Sequence, residues 1–312
     1  MHVRGLHHSI GEMTRLEYLS LERCCLLETL PESIGKLKSL LELELDSMET
    51  TGLPHSIGDL KMLRKMSLVG TWIKKPPDQM GVTPKIEWIE GLSNLEVLVL
   101  AMKEFTFPPI NLATLSRLWR LEITLVDPRS LMGLPSRLSI LVLYNVKSPI
   151  ESSLFSNLTN LSSLSLRDCW LREVDFDDVL GQHPEKLHRL LVTNDQLLER
   201  LSLSKLKGLQ SLAVSDCPGL LEIQGGEKLE SLEGLFISRC SSLERLPDLS
   251  ELKKLQSLQL YDCPLTNSPG LRLQDTCSLI FARCGISAHF LGKYKEWKDT
   301  YGHSGDDING QL

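Results

Sequence analysis

His7, His8, Cys24 and Cys25 offer the nitrogen and sulfur ligands that a zinc ion takes. Their spacing matches no zinc finger, so no metal site is expected from them. Asp175, Asp177 and Asp178 gather carboxylates as a calcium loop does. Calcium takes six or more oxygens in a defined geometry, and nothing around these three supplies the rest, so a solvated acidic turn is expected. Gln224-Gly225-Gly226-Glu227 has the glycines of a phosphate loop but no long helix after it, and reads as a turn. The sequence contains no GxxxxGK[ST], HExxH or GxSxG phrase. The expectation is a chain with no catalytic residue, no cofactor and no metal.

What remains is recognition, and the elements that would display a recognition surface are legible. The phrases LQSLAVSDC, LEGLFISRC and LQSLQLYDC begin at Leu209, Leu232 and Leu255, each 23 residues after the last. Apolar residues at positions 1, 4 and 6 with Cys or Asn at position 9 form the leucine-rich repeat pattern. Position 1 recurs at Leu16, Leu40, Leu63, Leu95, Leu118, Leu138, Leu161, Leu187, Leu209, Leu232 and Leu255, with a degraded unit at Thr276. A repeat of this length has room for a strand, a corner and a short outer segment. The expected fold is therefore an α/β solenoid, a leucine-rich repeat horseshoe with a parallel β-sheet on the concave face and mostly short 3₁₀ or irregular convex segments.

Residues 1–15 read as a partial first repeat. Residues 16–284 read as the solenoid, with about 12 repeats and an insertion near 71–88. That insertion, IKKPPDQMGVTPKIEW, is either a tolerated convex bulge or a contact loop. In LPESIG and LPHSIG, Pro ends the strand and Gly is expected to relax the backbone before the next Leu. Phe290, Leu291, Tyr294 and Trp297 fall at helical spacing, so 285–312 reads as a C-terminal cap helix and disordered tail.

Cys24, Cys169, Cys217, Cys240 and Cys263 all occupy position 9, where the side chain is expected to enter the core as a free thiol. Rungs about 4.8 Å apart do not exclude a disulfide by distance, but in-register side chains run alongside each other, which favours reduced thiols and an intracellular chain. A net charge of -6 without a basic run argues against nucleic acid. No apolar run reaches membrane-spanning length, and the first residues lack a signal-peptide core, so a cytoplasmic or nucleo-cytoplasmic location is expected.

Alternation along each strand sends positions 3, 5 and 7 to the concave side. The first units display Glu22, then Glu42, Glu44 and Asp46. This acidic patch is either a contact for a basic partner or a solvated face, and charge reversal of Glu42, Glu44 and Asp46 is expected to leave the melting temperature nearly unchanged. The middle units display Val97 and Val99, then Arg120 and Glu122, then Ile140, Val142 and Tyr144. Strand propensity alone accounts for valines, yet a rigid apolar patch with an aromatic and an Arg is the composition of an interface centre. Arg167 and Arg189 follow, so the face is expected to run from acidic through apolar to weakly basic.

LPESIGKLKSL, LPHSIGDLKML, LERLPDLSELKKLQSL and the Cys-ended strand phrases resemble the leucine-rich repeat region of plant intracellular nucleotide-binding immune receptors, especially those with a TIR domain. The likeness spans roughly Ser9 to Cys284. It implies a module that recognises a pathogen effector or an altered host protein and restrains the receptor's own nucleotide-binding domain. The ATP-binding and TIR parts have no counterpart in this sequence, so the likeness concerns sensing alone. SIGxLxxL phrases also occur in intracellular Ras-group scaffolds, which makes a stand-alone scaffold for a small GTPase or phosphatase complex the alternative. The substrate-recognition part of an F-box ligase is a third reading, although its repeats carry longer helices.

Overall fold

The structure, a computed structural model, describes residues 5–50, 52–73, 87–102, 108–125, 127–176, 180, 183–265 and 277–284. Twelve parallel strands form one sheet in strict chain order, Tyr18–Ser20, Glu42–Glu44, Lys65–Ser67, Val97–Leu100, Arg120–Thr124, Ile140–Tyr144, Ser163–Arg167, Arg189–Thr193, Ser211–Ser215, Gly234–Ser238, Ser257–Tyr261 and Ser278–Ala282. They are called rungs 1 to 12 below. The register carries the repeat: Leu212 pairs with Leu235 and Leu235 with Leu258, forming one buried column. Each repeat alone has only a narrow apolar stripe, and stacking turns the stripes into a continuous core. Position 1 is fully or almost fully buried from Leu40 to Leu255, and positions 4 and 6 are buried from Leu43 and Leu45 to Leu258 and Leu260. The degraded unit still closes the sheet, because Leu279 and Phe281 keep the inward pattern against that core. This is a leucine-rich repeat solenoid.

The convex segments are short 3₁₀ turns, including His8–Glu12, Glu32–Lys36, His55–Asp59 and Glu87–Gly91. Two- and three-stranded parallel ladders run beside them, the longest through Glu173–Asp175, Arg200–Ser202 and Glu222–Gln224. The glycine of each SIG phrase has a different purpose from the expected one. Its φ is not positive; instead, a Cβ on Gly11 would lie 2.5 Å from the Ser33 carbonyl oxygen, and one on Gly35 would lie 2.6 Å from that of Ser56. Adjacent convex turns pack backbone to backbone, and glycine is what permits that approach.

Ten of the twelve rungs end the same way, all but rungs 4 and 5, where Met102 and Leu125 stand at position 8. Arg23, Ser47, Asn145, Asp168, Asn194, Asp216, Arg239, Asp262 and Arg283, each at position 8, have positive φ between 49° and 61°, and Gly70 joins them at 65°. The left-handed turn aims their N–H at the neighbouring rung, as when Asp168 donates to Thr193 and Asp216 to Ser238, both at 3.0 Å. That bond offsets the steric cost of the conformation. The chain then turns inward at position 9.

Position 9 is a buried thiol slot at Cys169, Cys217, Cys240 and Cys263, each thiol donating to the position 7 carbonyl of its own rung. Cys24 departs from the expectation and is exposed, as is Cys25. Its rung stands at the edge of the sheet, so no described rung packs over the outer side of its turn. Desolvation pushes the thiols of Cys169 and Cys217 up to about 12, which leaves them protonated and unreactive.

Most of the insertion, residues 74–86, and the whole proposed cap and tail, 285–312, lie outside the described residues, as do Thr276, Asp177 and Asp178. What is described of the insertion is ordinary repeat structure: Trp72–Ile73 pairs with Glu49–Thr50, and Glu87–Gly91 forms the next convex turn. Gln224–Glu227 is a turn, with Gly225 left-handed between a short strand and a 3₁₀ turn.

Candidate protein-binding surface

The residues singled out on the concave face all lie on the sheet or at its edge, and the lateral pairs decide what each can do. Glu44 lies between two rungs, accepting from the Tyr18 hydroxyl at 2.7 Å and from the Lys65 ammonium at 2.7 Å. Those two hydrogen bonds, from Lys65 first, hold its carboxyl below the ordinary range. Glu42 shares Lys65 at 3.6 Å, and the exposed Glu22 pairs with Arg23 at 3.2 Å. Asp46 accepts from the Ser67 hydroxyl at 2.7 Å and the Val69 N–H at 2.8 Å. Each carboxylate of the acidic patch is thus held by a neighbour, although the patch keeps an excess of negative charge, and Lys65, on rung 3, is the residue that the reading by rungs passed over.

This overturns the expectation that the three carboxylates can be reversed without thermal effect. Asp46 alone satisfies a backbone N–H and a hydroxyl on the next rung, so Asp46→Ala is expected to cost about 1–2 kcal/mol. A denaturant titration in which the midpoint does not move would refute this.

The centre of the face is where the structure gathers the sequence-derived residues. Arg120 donates to Glu122 through Nε at 2.9 Å and Nη2 at 2.5 Å, and the Tyr144 hydroxyl donates to the other Glu122 oxygen at 3.0 Å. The Arg167 guanidinium stands over the Tyr144 ring, 5.9 Å from its centroid. Burial, followed by the Glu122 charge, pushes the Tyr144 phenol up to about 12, so it remains a donor at any physiological pH. Four candidates on three rungs thus form one connected network of guanidinium, carboxylate and phenol.

The valines divide by position. Val99, between Ser67 and Glu122, and Val142, between Glu122 and Ser165, both at position 5, are only 7% and 5% exposed. They form the floor and offer little area of their own. Val97 and Ile140, at position 3, are half-buried and supply accessible apolar surface on either side of Arg120. Arg189 is exposed and lies apart from the network, level with Ser163 and Ser211.

Reading by rungs also missed the far end of the face. Rungs 9 to 12 present Ser211, Ala213 and Ser215; Gly234, Phe236 and Ser238; Ser257, Gln259 and Tyr261; Ser278, Ile280 and Ala282, with no charged side chain. Phe236 and Tyr261 are ring neighbours, their centroids 5.8 Å apart. The charges stand at position 8 instead, spent on one another: Arg239 with Asp216 at 2.5 Å and Arg283 with Asp262 at 2.6 Å. The signal was available in the same alternation that located Val97 and Ile140. Among the described residues no group of three His, Cys, Asp or Glu is placed to share a metal ion, and no helix is long and apolar enough to cross a membrane.

Comparison with known proteins supports the architecture. No family model matches the chain. Its structure is similar to that of an internalin, InlF, from Listeria monocytogenes, with a TM-score of 0.53 and 17% identity over 92% of this chain and 80% of the other. A leucine-rich repeat protein of Leptospira interrogans gives a TM-score of 0.50 and 21% identity over 95% of this chain and 79% of that one. The Toll receptor of Drosophila, solved in complex with Spatzle, gives 0.52 and 16% over 85% of this chain and 33% of the receptor. At such identities the likeness establishes the class, a leucine-rich repeat solenoid, and nothing finer.

Proposed function

We propose that this chain is a protein-recognition module that performs no reaction of its own, and that its contact surface is the concave face from Val97 to Arg189. The observation that carries the reading is the network of Arg120, Glu122, Tyr144 and Arg167, set beside half-buried Val97 and Ile140 on a rigid sheet. Aromatic and Arg side chains held in fixed rotamers, ringed by apolar area, are the composition of an interface centre. Toll, a protein of the same class, is described in complex with Spatzle, which is in keeping with a ligand-binding solenoid.

The repeat phrases support a finer assignment, the sensing region of a plant intracellular nucleotide-binding immune receptor, with an effector, a guarded host protein or the receptor's own nucleotide-binding domain as partner, in the cytoplasm or shared with the nucleus. Sequencing the transcript upstream of Met1 tests it. An in-frame GxxxxGK[ST] segment is the expected result. A stop codon directly before Met1 in a translated transcript overturns the receptor assignment in favour of a stand-alone scaffold.

A further inference from the structure

The charges on the concave face do not balance evenly: the carboxylates of the first rungs are all held by neighbours, and the cations without an ion pair sit on rungs 7 and 8. Every carboxylate at positions 3, 5 and 7 has a partner: Glu22 on Arg23, Glu42 and Glu44 on Lys65, Asp46 on Ser67, and Glu122 on Arg120 and Tyr144. Lys65 and Arg120 are consumed by those pairs. Arg167 is not; among the described residues it forms no ion pair, its only charge contact is the face of Tyr144, and its Nε is shielded from water with no hydrogen-bond acceptor. A guanidinium has five N–H donors, and with Nε covered it is the terminal Nη groups that remain for an acceptor arriving from outside. Arg189, on the next rung, is likewise without an ion pair and exposed. From a rise of about 3.3 Å per residue and a rung spacing of about 4.8 Å, the two Cα atoms lie roughly 14 Å apart, close enough for one bound segment to meet both.

We infer that Arg167 is the anchor of the concave face and that its occupant is an acidic segment of a protein partner, one Asp or Glu docking on the guanidinium while flanking apolar residues pack on Val97 and Ile140. This inference rests on the recognition reading above and adds a positive pole to the acidic one of the N-terminal rungs: each carboxylate there is held by a neighbour, whereas the cations of rungs 7 and 8 form no ion pair among the described residues. A carboxylate is the group that fits, since it accepts two N–H bonds from one guanidinium and does so on a site whose aromatic backing already excludes water. A nucleic acid fits worse. Its affinity comes from displacing counterions across many phosphates, and this face has two unpaired cations beside a patch of carboxylates.

The test is selection of a phage-displayed random peptide library on the chain, followed by titration of the enriched synthetic peptide. The expected winners carry Asp or Glu beside apolar residues, and their binding weakens with added salt. Arg167→Glu is expected to weaken binding by at least about tenfold and the Arg167→Glu, Arg189→Glu double variant by more, with Arg167→Lys intermediate because it keeps the charge and loses the fork. Loss of the Arg167–Tyr144 contact is expected to lower the melting temperature of the Arg167 variants slightly, and an unchanged far-ultraviolet circular dichroism spectrum is expected to show that they remain folded. Enrichment of basic or uncharged peptides, or of none, overturns the inference. So does capture of a polyuridine RNA that the same substitutions abolish. Peptides that ignore the Arg variants but are lost on Val97→Asn with Ile140→Asn overturn the acidic anchor and leave concave recognition standing. Peptides indifferent to both sets overturn the recognition reading as well.

Discussion

Asp195→Asn is expected to gain about 2–3 kcal/mol of stability relative to the parent as pH rises from about 4 to about 7. Asp195 occupies position 9 of rung 8, the slot that holds Cys169 one rung earlier and Cys217 one rung later, and is 1% exposed. Its carboxylate accepts from the N–H groups of Leu171 and Leu197, each at 3.1 Å. Those bonds favour the charged form, but desolvation outweighs them and pushes the acid up to about 6 from an ordinary 3.8. The folded state therefore binds the proton more tightly than the unfolded state. Stability falls as pH rises from about 4 to about 6, and the full penalty, about 2–3 kcal/mol, stands above that window. Leu171 bonds one carboxylate oxygen and Leu197 the other, so an amide there carries no charge but keeps only one of the two acceptors, a pH-independent loss set against the pH-dependent gain.

Other carboxylates, Glu44 among them, have lowered values and give the opposite slope, losing stability as pH falls. The diagnostic quantity is thus the difference between Asp195→Asn and the parent, followed by denaturant titration at several pH values. A difference that does not grow between pH 4 and pH 7 would show that Asp195 carries no buried charge in the folded chain.

Gly208→Ala is expected to cost about 3 kcal/mol and to divide unfolding into two steps. Gly208 lies in the turn just before Leu209, and an added Cβ would overlap the carbonyl oxygen and carbon of Glu185 in the 3₁₀ turn of the preceding unit. Its φ is not positive, so alanine is conformationally acceptable and the penalty is wholly steric. The opposing atoms are backbone on both sides, and the lesion is relieved only by wedging rung 9 away from rung 8. In a solenoid each unit holds only its neighbours, so a weakened seam uncouples what lies on either side. Four of the five tryptophans, Trp72, Trp88, Trp119 and Trp170, precede the seam. Tryptophan fluorescence and far-ultraviolet circular dichroism are expected to coincide in the parent and to separate in the variant. Coincident transitions in the variant would mean that the seam relaxes without uncoupling.

Both expectations concern residues whose role is set by what stands one rung away. The columns that begin at Leu40, Leu43 and Leu45 were readable because burial on a strand follows from a period of two, and stacking follows from a fixed repeat. The same alternation put Arg120, Glu122, Tyr144 and Arg167 on one face. It did not show that they touch, nor that Glu44 and Asp46 are already satisfied by Tyr18, Lys65 and Ser67. Cys24 and Cys217 share a sequence position, yet only one is covered by rungs on both sides.

Sequence by itself determined the solenoid, its strand order, the inward columns and the identity of the concave side chains, because each of these depends on residues within one repeat and on the constancy of the period. Tertiary structure alone decided which charges are free, why the convex glycines cannot carry a side chain, and that an aspartate sits dehydrated among thiols. Those properties arise between repeats, across gaps of about 4.8 Å, where the partner is some two dozen residues away and its side-chain direction is fixed only once the register is formed.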